Sequence, residues 1–142
     1  MTELKPPLPA PTPVTAPFWE AAQEQVLAIQ RCRDCGLFSH PPWPHCPSCL
    51  SLNREFTPVS GLGSIYQRVV VHESRTGGFD ALVPYVAAAV ELDEQPGLLV
   101  TGNILGVEPH EAEIGMRVRV EFEDRSGYWL PQFRRDTSAE KA

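Results

Sequence analysis

The chain has 142 residues, with 12 Lys plus Arg against 18 Asp plus Glu, a formal net charge of -6 and 42% hydrophobic residues. That length holds one moderate domain or two small ones, and no apolar run approaches the ~20 residues of a membrane-spanning helix. The N-terminus, MTELKPPLPAPTPV, carries charges and prolines where a secretion signal has an apolar segment, so a cytoplasmic protein with reduced cysteines is expected.

Residues 1 to 16 hold five prolines and few large apolar side chains, too little to bury a core, and are expected to form a disordered tail. At Pro17 the pattern changes. Proline suits the first turn of a helix because its missing amide has no partner there. Phe18, Ala22 and Val26 recur at helical spacing, with Thr15 as the expected N-cap and Trp19 as a packing anchor. From Val26 to Arg31 the pattern becomes that of a strand running into Cys32.

All four cysteines lie in one stretch, CRDCGLFSHPPWPHCPSC, as two CxxC pairs separated by ten residues. Each CxxC curls into a turn that points two sulfurs at one spot, and two facing turns make the tetrahedral thiolate cage of a zinc ribbon. Cys32, Cys35, Cys46 and Cys49 are therefore the candidate metal ligands. Gly36 follows the first pair, where a left-handed backbone is commonly needed. Iron of rubredoxin type accepts the same four sulfurs. Disulfides suit a secreted protein and a redox CxxC suits a strand-helix-strand setting, and neither context is present. His40 and His45 are expected to sit behind the ligands or face solvent. Four thiolates close the coordination sphere, which makes the metal structural. Arg54 to Val59 reads as the returning strand, so residues 17 to 59 form the helix and ribbon unit.

SGLG at 60 to 63 reads as a hinge into a second unit spanning 60 to 135. Gly63 to Glu73, Leu82 to Asp93 and Gly97 to Leu105 are β-rich runs. Met116 to Glu123 alternates strictly, with Val118, Val120 and Phe122 on one face and Arg117, Arg119, Glu121 and Glu123 on the other. YWLPQF is a last short strand, and residues 136 to 142 are expected to be a disordered tail. Five short strands hide their edges most simply by closing into a barrel of OB type; a small sandwich or SH3-like barrel has the same strand count. The expected class is mainly β: an N-terminal helix and rubredoxin-like ribbon, then a five-stranded OB-fold barrel.

No self-sufficient active site is visible. The serines lie in no nucleophile-elbow pattern, and His72 and His110 have no carboxylate at a telling spacing. The loop SRTGGFDALVPY offers Arg75, Phe79 and Tyr85 as candidate contacts for a ligand or partner, against the simpler role of a loop whose Phe79 caps the core. From Val59 to Arg135 there are 7 basic against 11 acidic residues, a balance of -4, which opposes single-stranded nucleic acid as ligand.

The order of FWEA, CxxCG, HPPWPHCPSC, SGLGSIY, PYVAAAVELDE and IGMRVRVEFE resembles the family of small acyl-CoA-associated proteins built from a rubredoxin-like zinc ribbon and an OB-fold. The resemblance runs from about Phe18 to Phe133. It implies structural Zn2+ on Cys32, Cys35, Cys46 and Cys49, acyl-CoA as a possible ligand, and no catalysis by this chain alone. It further implies a hetero-oligomer with a thiolase-fold, aldolase or hydratase-type acyl-CoA enzyme on a separate polypeptide, with no membrane involved. A single-stranded nucleic-acid binder and an iron electron carrier stay open as alternatives. Trp43, between prolines, either docks a partner or packs back onto the ribbon.

Overall fold

Helix α1 (Ala16–Gln23) carries Pro in its first turn and buries Phe18 and Ala22. Thr15 does not cap it through its side chain. The Thr15 hydroxyl instead accepts from the Thr12 amide at 2.9 Å, closing a turn just ahead of the helix. This computed structural model describes residues 5–137; the ends of both expected tails, 1–4 and 138–142, lie outside the described residues. Within them the backbone of Lys5 and Pro6 lies against Gly78, which is left-handed at φ +95 and has no room there for a Cβ.

Strands β1 (Ala28–Cys32), β2 (Phe38–Ser39) and β3 (Arg54–Pro58) form an antiparallel sheet in the order β2-β1-β3. Cys32 pairs with Arg54 and Arg31 with Phe38. The two-residue β2 is too short to show any alternation, so no sequence pattern announced it.

The rest is a closed barrel of β4 (Leu62–Val71), β5 (Tyr85–Leu92), β6 (Leu99–Leu105), β7 (Arg117–Arg125) and β8 (Tyr128–Arg135), in the order β4-β5-β6-β8-β7. β4 pairs with both β5 and β7, and β6 meets β8 in parallel. Closure rules out the sandwich, because no barrel strand is left with an open edge. The expected ribbon and OB-type order is thus the one observed, with shifts at its ends: β5 begins at Tyr85, three residues later than read, and β7 and β8 each run two residues further.

One register feature was not legible. β4 bulges between Ile65 and Gln67, and an extra residue switches the faces of everything after it. Ile65 is buried, yet two residues past the bulge Val69 is 59% exposed while Val70 packs on the core. On β7 the alternation holds: Val118 is fully buried, and Val120 and Phe122 pack against the core. Its outer charges pair, Glu121 with Arg134 at 2.8 Å and Arg117 with Asp93 at 2.6 Å. Exposed pairs of this kind contribute little to stability.

Ribbon and barrel share one core. Phe18, Leu27, Ile29 and Phe38 belong to the same buried cluster as Ile65, Val90, Val100 and Phe133. Glutamine side chains fasten the joints. Gln95, in the β5–β6 turn, accepts from the Phe38 amide at 3.0 Å and donates to its carbonyl at 2.9 Å, extending the sheet edge at β2. Gln23 at the end of α1 donates to the Gly127 carbonyl at 3.1 Å. Among the described residues, no helix is long and apolar enough to cross a membrane.

Candidate metal centre and the turn beside it

The two CxxC turns are built alike. In the first, the Gly36 amide donates to the Cys32 carbonyl at 2.9 Å; in the second, the Leu50 amide donates to the Cys46 carbonyl at 3.0 Å. The residue after each second cysteine is left-handed, Gly36 at φ 79 and Leu50 at φ 65. Glycine adopts that conformation freely, whereas leucine does so only where the surrounding turn holds it.

These turns aim all four sulfurs inward. The Sγ atoms lie within 4.8 Å of one another, with Cys32–Cys49 and Cys35–Cys46 both at 3.6 Å. A tetrahedral site with ~2.3 Å metal–sulfur bonds has sulfur–sulfur edges of ~3.8 Å. The donor set therefore fits zinc, and the separations are far from the ~2.05 Å of a disulfide. Cys32 and Cys46 are buried, whereas Cys35 and Cys49 are exposed.

The backbone prepares two of the thiols to ionise. The Cys35 amide, 3.5 Å from Cys32 Sγ, holds that thiol down to about 6, and the Cys49 amide lowers Cys46. Cys49 is pushed up to about 12: the Ser51 amide pulls it down, but its hydrogen bond with Cys32 and burial raise it by more. Four thiolates at this spacing need a cation to coexist, so metal binding releases protons and weakens in acid. Asp34 ties the turns together by accepting from Ser51 Oγ and, at 3.3 Å, from Asn53 Nδ2. The Ser51 bond keeps its carboxyl below the usual range.

Beside the cluster, the proline-rich turn is held by a residue that sequence reasoning passed over. Gln30 on β1 is 1% exposed. Its Nε2 donates to the Trp43 carbonyl at 2.8 Å, and its Oε1 accepts from the Trp43 amide at 3.0 Å and from Ser39 Oγ at 3.0 Å. Arg54 also donates to the Trp43 carbonyl. The signal available in advance was a polar residue within the apolar strand AIQRC. With its backbone gripped, Trp43 is still 49% exposed.

His40 is neither behind the cysteines nor facing solvent. It stacks on Phe18 of α1 with ring centroids 5.2 Å apart, and its Nδ1 is buried with no partner among the described residues. Burial lowers its pKa to about 4. Protonation therefore favours the unfolded chain, and stability is expected to fall as pH drops from about 6.5 towards 4, by about 2 kcal/mol at pH 5. Imidazole NMR checks this directly: His40 should remain neutral at pH 5.

Of the candidate ligand loop, Phe79 and Tyr85 stack with centroids 6.1 Å apart. Both are half-buried, and Arg75 is exposed on the same loop. The aromatic pair is thus brought together, while among the described residues no hydrogen bond, ion pair or ring contact joins Arg75 to it.

Residues 19–53 match the family described as ChsH2, rubredoxin-like zinc ribbon domain, and residues 56–123 match ChsH2, C-terminal OB-fold domain. The chain is 38% identical over 138 residues to a probable enoyl-CoA hydratase alpha subunit of Thermomonospora curvata, covering 94% of this chain and 42% of that protein. It is 37% identical over 121 residues to the 3-oxo-4,17-pregnadiene-20-carboxyl-CoA hydratase alpha subunit of Mycobacterium tuberculosis, covering 82% and 37%. The chain thus spans about two fifths of the length of these two relatives. A DUF35 domain-containing scaffold protein of Methanocaldococcus jannaschii is 35% identical over 106 residues, 73% of each chain. Among solved structures, a chain described as Ltp2-ChsH2(DUF35) aldolase matches with a TM-score of 0.81 at 36% identity, over 90% of this chain and 98% of that one. A DUF35 protein from Sulfolobus solfataricus shares the fold, with a TM-score of 0.61 at 13% identity.

Proposed function

The chain belongs to the DUF35 family of ChsH2-type proteins, a rubredoxin-like zinc ribbon followed by an OB-fold, and on that premise we propose that it is a non-catalytic accessory subunit of an acyl-CoA-processing enzyme. The observation that carries the reading is its match to nearly the full length of the DUF35 chain described with an aldolase. The hydratase alpha subunits and the scaffold protein point the same way. The catalytic partner is thiolase-like, an aldolase or a hydratase.

In this reading Cys32, Cys35, Cys46 and Cys49 hold zinc, which supplies folding free energy and no chemistry. The protein's own part is positional: Gln30 and Gln95 fix the proline-rich turn and the ribbon against the barrel. The loop with Arg75, Phe79 and Tyr85 contacts the partner or its acyl-CoA ligand. Iron in the cluster is distinguished by colour, since an oxidised iron tetrathiolate absorbs in the visible and zinc does not.

The test is co-expression with the products of neighbouring genes, followed by purification through this chain. A thiolase-, aldolase- or hydratase-like protein is expected in stoichiometric amount, with acyl-CoA turnover only in the complex. If no such protein copurifies and the chain alone does not bind acyl-CoA, the reading fails.

A further inference from the structure

A cleft lies between α1, the turn from His40 to Pro42 and the outer wall of β6 and β8, apart from the cysteine cluster. Its volume is about 330 Å³, at the small end of the range for small-molecule sites. Phe18, Trp19, Pro41, Pro42, Leu130 and Pro131 supply most of its apolar lining. Phe18 and Trp19 meet edge to face with centroids 5.0 Å apart, so rings line it at two orientations. Prolines cannot rotate away, and the turn that bears two of them is anchored through Trp43 by Gln30.

None of the lining residues is an Asp, Glu, Lys or Arg, and burial keeps His40 neutral. A charged ligand would lose its hydration there and meet no counter-charge. His40 nevertheless offers one polar contact. Its Nδ1 is shut off and has no partner among the described residues, and buried N–H groups without acceptors are rarer than under-satisfied acceptors. The proton therefore belongs on Nε2 of a ring that lines the cleft. A purely apolar side chain from another protein would leave that donor unanswered.

We propose that this cleft binds an uncharged, ring-bearing small molecule whose carbonyl or hydroxyl oxygen accepts a hydrogen bond from His40 Nε2. The assignment rests on the cleft alone and does not depend on the accessory-subunit reading.

The test titrates the zinc-loaded full chain with acetophenone, a neutral aryl ketone, and separately with benzoate, an anion of the same size, following the imidazole signals by NMR. Acetophenone is expected to shift the His40 signals to saturation with a Kd of roughly a few millimolar, the range for a ligand of so few atoms. Benzoate should bind about tenfold more weakly or not at all, for want of a counter-charge. His40→Phe keeps a ring against Phe18 and should weaken acetophenone by about fivefold, the effect of one hydrogen bond. Thr101 is exposed on β6 and lines the cleft, so Thr101→Trp fills the space without touching the core and should abolish binding. Because Thr101 is a surface position, the test survives even if His40→Phe does not fold. Non-saturating His40 shifts, benzoate binding as tightly as acetophenone, or unchanged affinity in Thr101→Trp would each overturn the proposal. Failure here leaves copurification with an acyl-CoA enzyme unaffected, and the reverse also holds.

Discussion

Cys46→Ser is expected to empty the metal site and unfold the ribbon while the barrel keeps its strands. Cys46 is 2% exposed and sits at the centre of the second turn, where its backbone pairs with Ser51 and Leu50 and its sulfur takes the Ser48 amide at 3.4 Å. Serine is ill-suited to replace it, because a hydroxyl at neutral pH is protonated and binds zinc poorly. Metal affinity in such sites is folding free energy, on the order of 10 kcal/mol, far more than the ribbon's small share of the core replaces. The barrel closes through its own five strands and has no need of the metal. Elemental analysis should show metal falling from about one per chain to a small fraction of that. Far-UV circular dichroism should keep its β signal, and copurification of the partner should cease. A Cys46→Ser chain that retains full metal and a fully active complex would show that the cluster is dispensable.

Gln30→Leu is expected to destabilise the chain by about 3 kcal/mol, since it removes three part-buried hydrogen bonds at once. Leucine fills a similar volume, so little of the loss comes from a cavity. What disappears is the grip on both backbone groups of Trp43 and on Ser39 Oγ. Arg54 still reaches the Trp43 carbonyl, which leaves the Trp43 amide as the group most clearly orphaned. Urea unfolding measures the total. Hydrogen exchange at the Trp43 amide is the local probe, and it should speed up well beyond what the change in global stability accounts for. Unchanged protection there would mean that the prolines alone shape the turn. The loosened turn should also weaken binding in the adjoining cleft, because Pro41 and Pro42 line it.

Much of this protein was legible without coordinates, for local reasons. Two CxxC pairs bring sulfurs together through turns of a few residues, so spacing alone marked Cys32, Cys35, Cys46 and Cys49 as a set. The alternation of Val118, Val120 and Phe122 with charged neighbours declared one face of β7, because in a strand the period of two belongs to the chain itself. The order of helix, ribbon and five strands followed from such patterns, and barrel closure followed from the need to hide edges.

What the tertiary structure decided depends on residues distant in sequence. Gln95 reaches Phe38 across 57 positions and Gln23 reaches Gly127 across 104, and an amide side chain looks the same in sequence whether it grips a buried backbone or faces water. The bulge in β4 moved Val70 inward and Val69 outward, since a single extra residue inverts a period that the local pattern leaves ambiguous in a run of valines. His40 looked like a companion of the metal because it lies between the cysteine pairs. Only the packing of α1 across the ribbon turned it towards Phe18 and placed it in the lining of a largely apolar cleft. Short-range geometry is written in residue spacing; which faces meet is set by the burial of the whole chain around a common core.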